Sequence, residues 1–517
     1  MNMATPPDRE AAATGANDSG TTEFGLNAWD LRLSPAAVAA ELDRVAGRLR
    51  ADFAARPRPV AVLARNSGRT LIGYAATILS GAPLVPLNVH LQPTEIAHML
   101  AESGAGTLFA GPELLDTALA ATAELPEVRV LTWATEPGAG YSTLEQWSAG
   151  PMLPEGPEYP VAAPILFSSG TTGRPKRTLM PRSIFPRGAT PAEYRRWATT
   201  NRFFGQGTHL VSGPLYHSGP IQATALLTAG VPVHVPCRFD PPAILETIAR
   251  ERIATSLMVP THFIRLLRAR DESPTGYDVS SIRLITQTGA GCPEDVKRAM
   301  IDWWGPVFLE TYGGTESGGV CAIGSADWLE HPNSVGRTVN GYRALVVDET
   351  GRELPAGSEG RLYFENAAGW GIEYEDAPEL TAAANLRPGV FTLGEIGRVD
   401  ADGFVYLTDR DSDKIVSGGV NIYPAESERV LAEHPAVADV AVIGVDDPEM
   451  GEQALALIVA APGTTPTAEE LVGYCRTQLS AVKTPRVIRF VDAIERTPMG
   501  KLNRRELRRQ YAAVGGH

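Results

Sequence analysis

The sequence predicts an α/β protein. A large N-terminal domain with parallel-rich βαβ sheets plus an antiparallel β element precedes a small C-terminal α+β domain. Three observations point there. Short apolar strands alternate with helices from about residue 59, and again between about 161 and 310. After about residue 335 that alternation gives way to strand–turn–strand patterns. Beyond Arg410 a separate run of strands and helices begins.

The elements follow in chain order. Residues 1–25, rich in Ala, Thr, Gly, Asp and Pro, read as a disordered tail. Val60–Ala64 is a short apolar strand, Arg69–Leu79 a helix and Pro83–Pro86 the next strand. Pro93–Glu102 is a helix with Pro at an early position, and Thr107–Ala110 and Arg129–Thr132 are further strands. In the second series Ala163–Phe167, Ser256–Val259 and Leu284–Thr288 are strands, with helices over Pro241–Glu251 and Glu294–Trp303. Tyr342–Val347, the turn Asp348-Glu349-Thr350-Gly351 and Gly360–Glu365 form the antiparallel element, and Phe404–Leu407 follows a second turn. The C-terminal unit carries strands Val437–Val445, Gln453–Ala460 and Val487–Val491, and helices Ala468–Leu479 and Arg504–Gln510. The expected division is 26–410 and 411–517.

Composition narrows the function classes. The chain has 517 residues, 46 Lys plus Arg against 60 Asp plus Glu, and a net charge of −14. Such an acidic body is a poor binder of nucleic acid or anionic membrane, and it must supply local positive charge to hold an anionic ligand. Cys237, Cys292, Cys321 and Cys475 are far apart and show no metal spacing, which fits a reducing, cytoplasmic setting. The start shows no basic-then-apolar secretory pattern, and no run of 18 apolar residues suggests a membrane span.

The sharpest motif is Ser168-Ser169-Gly170-Thr171-Thr172-Gly173-Arg174-Pro175-Lys176, directly after an apolar strand. Its glycines let the backbone wrap an anion, its hydroxyls donate, and Arg174 and Lys176 add charge, as a phosphate-gripping loop requires. It is not a Walker loop. Further strings follow: Tyr216-His217-Ser218-Gly219, Tyr312-Gly313-Gly314-Thr315-Glu316, Asp409-Arg410 with Asp413-Lys414-Ile415, Ser417-Gly418-Gly419-Val420-Asn421-Ile422-Tyr423-Pro424-Ala425-Glu426, and Pro498-Met499-Gly500-Lys501-Leu502. In this order they resemble the signatures of the adenylate-forming superfamily, which includes acyl-CoA synthetases, firefly-type luciferases and peptide-synthetase adenylation domains. The likeness runs from about residue 160 to 505.

The resemblance implies ATP/AMP, Mg²⁺ and coenzyme A as cofactors, and a carboxylic acid or acyl-adenylate as partner. It assigns Glu316 to the Mg²⁺ that bridges the ATP phosphates and Thr315 to a phosphate contact. Tyr312, with Thr311 beside it, offers a flat face to adenine. Gly289, Ala290 and Gly291 leave the backbone open to adenine or acyl contacts. His217 borders the acyl pocket, either gating or packing. A general base is not required of it, because a carboxylate nucleophile is already ionised at pH 7. Arg410 contacts the ribose hydroxyls beside a hinge near 410–412, which makes the C-terminal domain mobile. Gly418 and Gly419 admit a pantetheine arm, and Lys501 steadies the carboxylate and α-phosphate. The chemistry implied is adenylation, domain rotation, then thioester formation with CoA.

Three departures stand out. The family's T-G-D is Thr392-Leu393-Gly394-Glu395 here, so Glu395 keeps the charge with an added methylene. Arg177 follows Lys176 where the family has Gly, and Asp409 precedes Arg410 where it has Gly. A misplacement of about 1 Å costs roughly 100-fold in rate, so the departures bear on adenylation. Three readings remain open: an acid–CoA ligase; a ligase that only makes thioester from a preformed acyl-adenylate; and a non-catalytic nucleotide-binding protein. Pro220–Gly230 contains no acid to hold an amino group, which disfavours an amino-acid substrate. The small residues around 289–291 and 313–314 suit a hydrophobic acid: a bulky polycyclic terpenoid, steroid-like, aryl or fatty acid. A homodimer is among the expected assemblies.

Overall fold

The computed structural model describes residues 24–133, 136, 138–149, 159–169, 175–178, 180, 184–217, 219–273, 276–348, 350–374, 378–410, 413, 415–417, 420–447, 451–479, 481, 483–496 and 502–511. The tail expected over 1–25 lies outside them except for Phe24 and Gly25.

Apolar runs flanked by Gly and Pro form two sheets in the N-terminal part. The first is wholly parallel, in the order Leu84–Pro86, Val60–Leu63, Thr107–Ala110, Arg129–Thr132, Tyr141–Thr143. Its helix Gly68–Ser80 is capped by Ser67, whose hydroxyl accepts from Thr70 N–H, and ends at Gly81 in the left-handed region, φ 87°. It is buried nearly all round because it also packs on the helices Pro35–Ala55 and Ala223–Thr228.

The second sheet is mixed. Its parallel half runs Leu26–Ala28, Val233–Val235, Thr208–Leu210, Ile253–Met258, Leu284–Gln287, Phe308–Gly314. Gly318–Gly324 then turns back antiparallel on Phe308–Gly314, and Ser334–Thr338, Val405–Arg410, Glu395–Val399 and Glu359–Asn366 continue outward antiparallel. The expected antiparallel element is the pair Tyr342–Val347 and Glu359–Asn366, in register from Tyr342↔Asn366 to Val347↔Arg361.

The C-terminal unit is a five-stranded sheet containing Ile415–Ser417, Val420–Ile422, Val437–Asp447, Gly451–Ala460 and Val487–Phe490. Alternation along Val437–Asp447 sends Val440 and Val442 to one core with Val430 and Leu471, and Ala441 and Ile443 to another with Ile494 and Leu507.

Among the regions that differ from expectation, two have a clear local cause. Residues 35–55, given no element from the sequence, form a 21-residue helix started by Ser34 and Pro35, with Val38, Leu42, Val45, Ala46 and Leu49 on its buried stripe. The strand expected over Ala163–Phe167 is Leu166–Ser169 instead. Pro164 has no N–H for a ladder, and Ile165 spends its N–H on Leu84 O at 2.8 Å.

Candidate active site

The carboxyl ends of the parallel strands gather several candidates along one edge, where open α/β sheets bind ligands. His217 follows Thr208–Leu210, Gly289–Gly291 follow Leu284–Gln287, and Tyr312–Gly314 end Phe308–Gly314. Thr315, Glu316 and Ser317 form the turn where the sheet changes from parallel to antiparallel. That turn is held tightly. Ser317 Oγ accepts from Gly314 N–H at 3.0 Å, and Tyr342 Oη donates to Ser317 O at 3.2 Å. A Cβ on Gly313 would lie 1.9 Å from Gly318 O, so only glycine lets the two strands approach this closely.

The neighbouring turn is tied to the same strand. Thr288 Oγ1 donates to Thr311 O at 3.1 Å, and the buried Gln287 amide donates to Ala290 O at 3.2 Å. Gly289 has φ +91°, a conformation that favours glycine. His217 stands 4.6 Å from the Tyr216 ring at 48°. Burial pushes the Tyr216 hydroxyl up to about 12, with Arg65 pulling it back.

Glu395 joins this edge from 83 residues away: Tyr312 Oη donates to its carboxylate at 2.5 Å. Glu395 is 6 % exposed, and its backbone is in register with Arg410 on the adjacent strand. Leu393 packs toward Gly314 beside Glu316. A Cβ on Gly314 would lie 2.9 Å from Glu316 Oε2 and 3.1 Å from a Leu393 methyl. Tyr374 is a site neighbour without a sequence signal; burial and then the Glu316 charge push its hydroxyl up to about 12.

The phosphate-loop string begins as a hairpin. Leu166–Ser169 pairs antiparallel with Pro175–Thr178, setting Ser168 opposite Lys176. Gly170, Thr171, Thr172 and Gly173 lie outside the described residues, as do Gly418, Gly419 and Lys501; for Ser168, Ser169, Lys176 and Arg410 only the backbone is described.

The sequence also gave no sign of a buried ion pair behind the site. Lys297, on the helix Glu294–Trp304, bonds the Glu310 carboxylate two residues before Tyr312, and the two side chains are 1 % and 9 % exposed. The partners are 13 residues apart, beyond any local pattern.

These residues suit a nucleotide and Mg²⁺. Among the described residues no group of three or more His, Cys, Asp or Glu forms a metal cage. A single carboxylate such as Glu316 is what Mg²⁺ uses when phosphates and water complete its shell. Gly289 and Gly313 set the shape of the two turns at this edge, one through its left-handed backbone and the other through the close approach of its strand to Gly318. Among the described residues no helix is long and apolar enough to cross a membrane.

Comparison with known proteins agrees with this geometry. Residues 7–369 match the model of the AMP-binding enzyme family, and 426–501 match the AMP-binding enzyme C-terminal domain. A feruloyl-CoA synthase from Amycolatopsis sp is 32 % identical over 94 % of this chain and 99 % of its own. An indoleacetate–CoA ligase from Aromatoleum aromaticum is 30 % identical over 93 % of each chain. The crystal structure of ATP-bound MatB from Rhodopseudomonas palustris superposes with a TM-score of 0.79 at 27 % identity, covering 95 % of this chain and 96 % of that one. The matched models span most of the sequence and the relatives align nearly end to end, so the chain belongs to the AMP-binding enzymes, the adenylate-forming superfamily.

Proposed function

We propose that this protein is an AMP-forming acid–CoA ligase acting on a hydrophobic carboxylic acid, an aryl-bearing acid foremost. The observation that carries the reading is the assembly of Tyr312, Thr315, Glu316 and Glu395 at the carboxyl edge of the parallel strands, with Tyr312 hydrogen-bonded to Glu395. The relatives that act on ferulate and indoleacetate support an aryl acid. In this reading the adjacent rings of Tyr216 and His217 border the acyl group.

In this reading 26–410 forms the body and 411–517 the mobile domain, hinged at 410–412. The 168–176 loop grips the phosphates through backbone N–H groups, Ser168, Ser169 and Lys176. Tyr312 and the Gly289–Gly291 turn flank the adenine, and Glu395 with Arg410 holds the ribose. Glu316 would hold Mg²⁺, which when bound neutralises charge on the phosphates. Lys501 draws the carboxylate oxygen and the α-phosphate together. Pyrophosphate leaves, and rotation replaces Lys501 with the Gly418–Gly419 loop. That loop leaves room for the CoA thiol to attack the acyl carbonyl, expelling AMP.

A second reading, thioester formation from a supplied acyl-adenylate with weak adenylation, draws on Glu395. Its carboxylate, one methylene longer than the family's Asp, is engaged by Tyr312. Pyrophosphate exchange across a panel of aryl, steroid-like and fatty acids, followed by CoA-dependent AMP release, separates the two. Exchange with an aryl acid supports the ligase. Thioester formation from synthetic adenylates without exchange supports the second reading. ATP binding with neither reaction overturns both in favour of a nucleotide-binding protein.

A further inference from the structure

Arg504 lies in the C-terminal unit, outside the candidate active site. It is the first residue of the helix Arg504–Tyr511, three positions after Lys501. A cation there opposes the helix dipole, so its placement needs strong partners. It has two carboxylates from different segments. Nη1 donates to Asp413 Oδ2 at 3.1 Å and Nη2 to Glu428 Oε2 at 2.6 Å, with the Arg504 side chain 15 % exposed. Its Nε donates to Val442 O at 3.4 Å, and Glu428 Oε1 in turn accepts from Val442 N–H at 2.7 Å. One turn on, Arg508 donates to Asp413 O at 3.2 Å.

The three segments joined here matter to the reaction. Asp413 stands one residue past the proposed hinge and leads into Ile415–Ser417, which runs directly to Gly418–Gly419. Glu428 is on Pro424–Ala432, which follows the return strand Val420–Ile422 from the same loop. Arg504 belongs to the segment that carries Lys501. The planar guanidinium fork can hold two carboxylates at fixed angles, which an ammonium cannot.

We infer that Arg504 is a positioning residue: it ties the start of the last helix, three residues after Lys501 in sequence, to Asp413 and Glu428, and both half-reactions depend on that tie. This rests on the ligase reading. In that reading Lys501 serves one step and the Gly418–Gly419 loop the other, and Arg504 acts on both through the segments it is tied to.

The test uses Arg504→Lys and Arg504→Ala in the full chain, at a temperature where circular dichroism shows each variant folded. Pyrophosphate exchange and thioester formation from a supplied acyl-adenylate are measured separately. The expected result for Arg504→Lys is a fall in kcat of about tenfold or more in both steps, in line with a misplacement of under 1 Å, with KM for ATP within about twofold. Arg504→Ala is expected to fall further, and Asp413→Asn to be non-additive with Arg504→Lys. As a control, Arg429→Gln breaks the exposed pair with Glu433 and leaves both steps unchanged. Retention of either step within about twofold in folded Arg504→Lys overturns the inference, as does a rise in KM for ATP that accounts for the loss. If wild-type enzyme performs neither half-reaction, the ligase reading fails first, and this inference fails with it.

Discussion

Tyr312 and Glu395 show how a one-methylene change is absorbed at the residue scale. A phenol donating to a buried carboxylate is a charge-assisted hydrogen bond, worth about 1.5–3 kcal/mol net, and here the two stand 2.5 Å apart. Tyr312→Phe leaves a 6 %-exposed carboxylate without that donor. KM for ATP should therefore rise about tenfold while kcat stays within about threefold, since roughly 1.4 kcal/mol is one decade. Steady-state kinetics check it, and an unchanged KM refutes the role. Glu395→Asp shortens the reach to Tyr312 and should lower pyrophosphate exchange; a gain in exchange would mean that the extra methylene impairs adenylation. Lys501→Ala should cut exchange by about 100-fold or more and spare thioester formation from a supplied adenylate. Equal loss in both steps would refute a role confined to adenylation. Glu395 was legible as a departure from the motif, but its bond to Tyr312 was not. The two are 83 residues apart, and only the sheet brings them together.

At the scale of elements, the helix Glu294–Trp304 is fixed to the strand Phe308–Gly314 by Lys297 and Glu310, with Lys297 Nζ also 4.7 Å from the Trp328 ring centre. Burial pushes the Glu310 carboxyl up, and Lys297 beside it pulls it down. Removing one partner strands the other. Lys297→Met should cost about 3–5 kcal/mol, and Lys297→Met with Glu310→Gln should recover most of it, as read by urea denaturation. In Lys297→Met alone burial acts unopposed by the ammonium. The folded state then holds its proton to higher pH than the unfolded chain, and stability falls as pH rises through that raised value. Equal stability of the single and double variants would show that the pair carries no such coupling. Elements were legible where apolar runs met turn residues, as at Thr107–Ala110 and Arg129–Thr132, whose bounds match residue for residue. The helix Pro35–Ala55 carried a readable stripe and cap, yet it sits among alanines and charges that resemble the adjoining polar tail. Strand partners such as Leu26–Ala28 with Val233–Val235 are set by tertiary packing and leave no local trace.

Across the whole molecule, the net charge of −14 says little about where protons matter. Three buried histidines in or beside the mixed sheet say more. His209 is 3 % exposed with Nδ1 2.9 Å from Thr255 Oγ1, and burial holds it down to about 3. Burial likewise holds His234 to about 4, and His262, with help from Arg265, to about 3. All three are neutral in the fold, whereas in the unfolded chain each takes a proton near 6.5. Between those values the unfolded state binds more protons, so their contribution is fully present above about pH 6.5 and is lost as pH falls toward the folded values. Each unit costs about 1.4 kcal/mol per histidine, so the three together remove roughly 4 kcal/mol per unit. That is a large share of a typical 5–15 kcal/mol. Carboxylates held low, such as Glu41 through its bond to Arg44, act only below the ordinary glutamate value of 4.5. The decline between pH 6.5 and 5 therefore belongs to the histidines. His262 stacks on Phe239 at 4.0 Å and 16°, so His262→Phe keeps an aromatic ring there while removing the titration. It also removes the weak 3.4 Å bond from Val259 N–H to Nδ1. The variant should be somewhat less stable at pH 7.5, yet its urea midpoint should fall about one third less steeply between pH 6.5 and 5. A slope identical to wild type would mean that His262 is protonated in the fold and that burial does not set its charge.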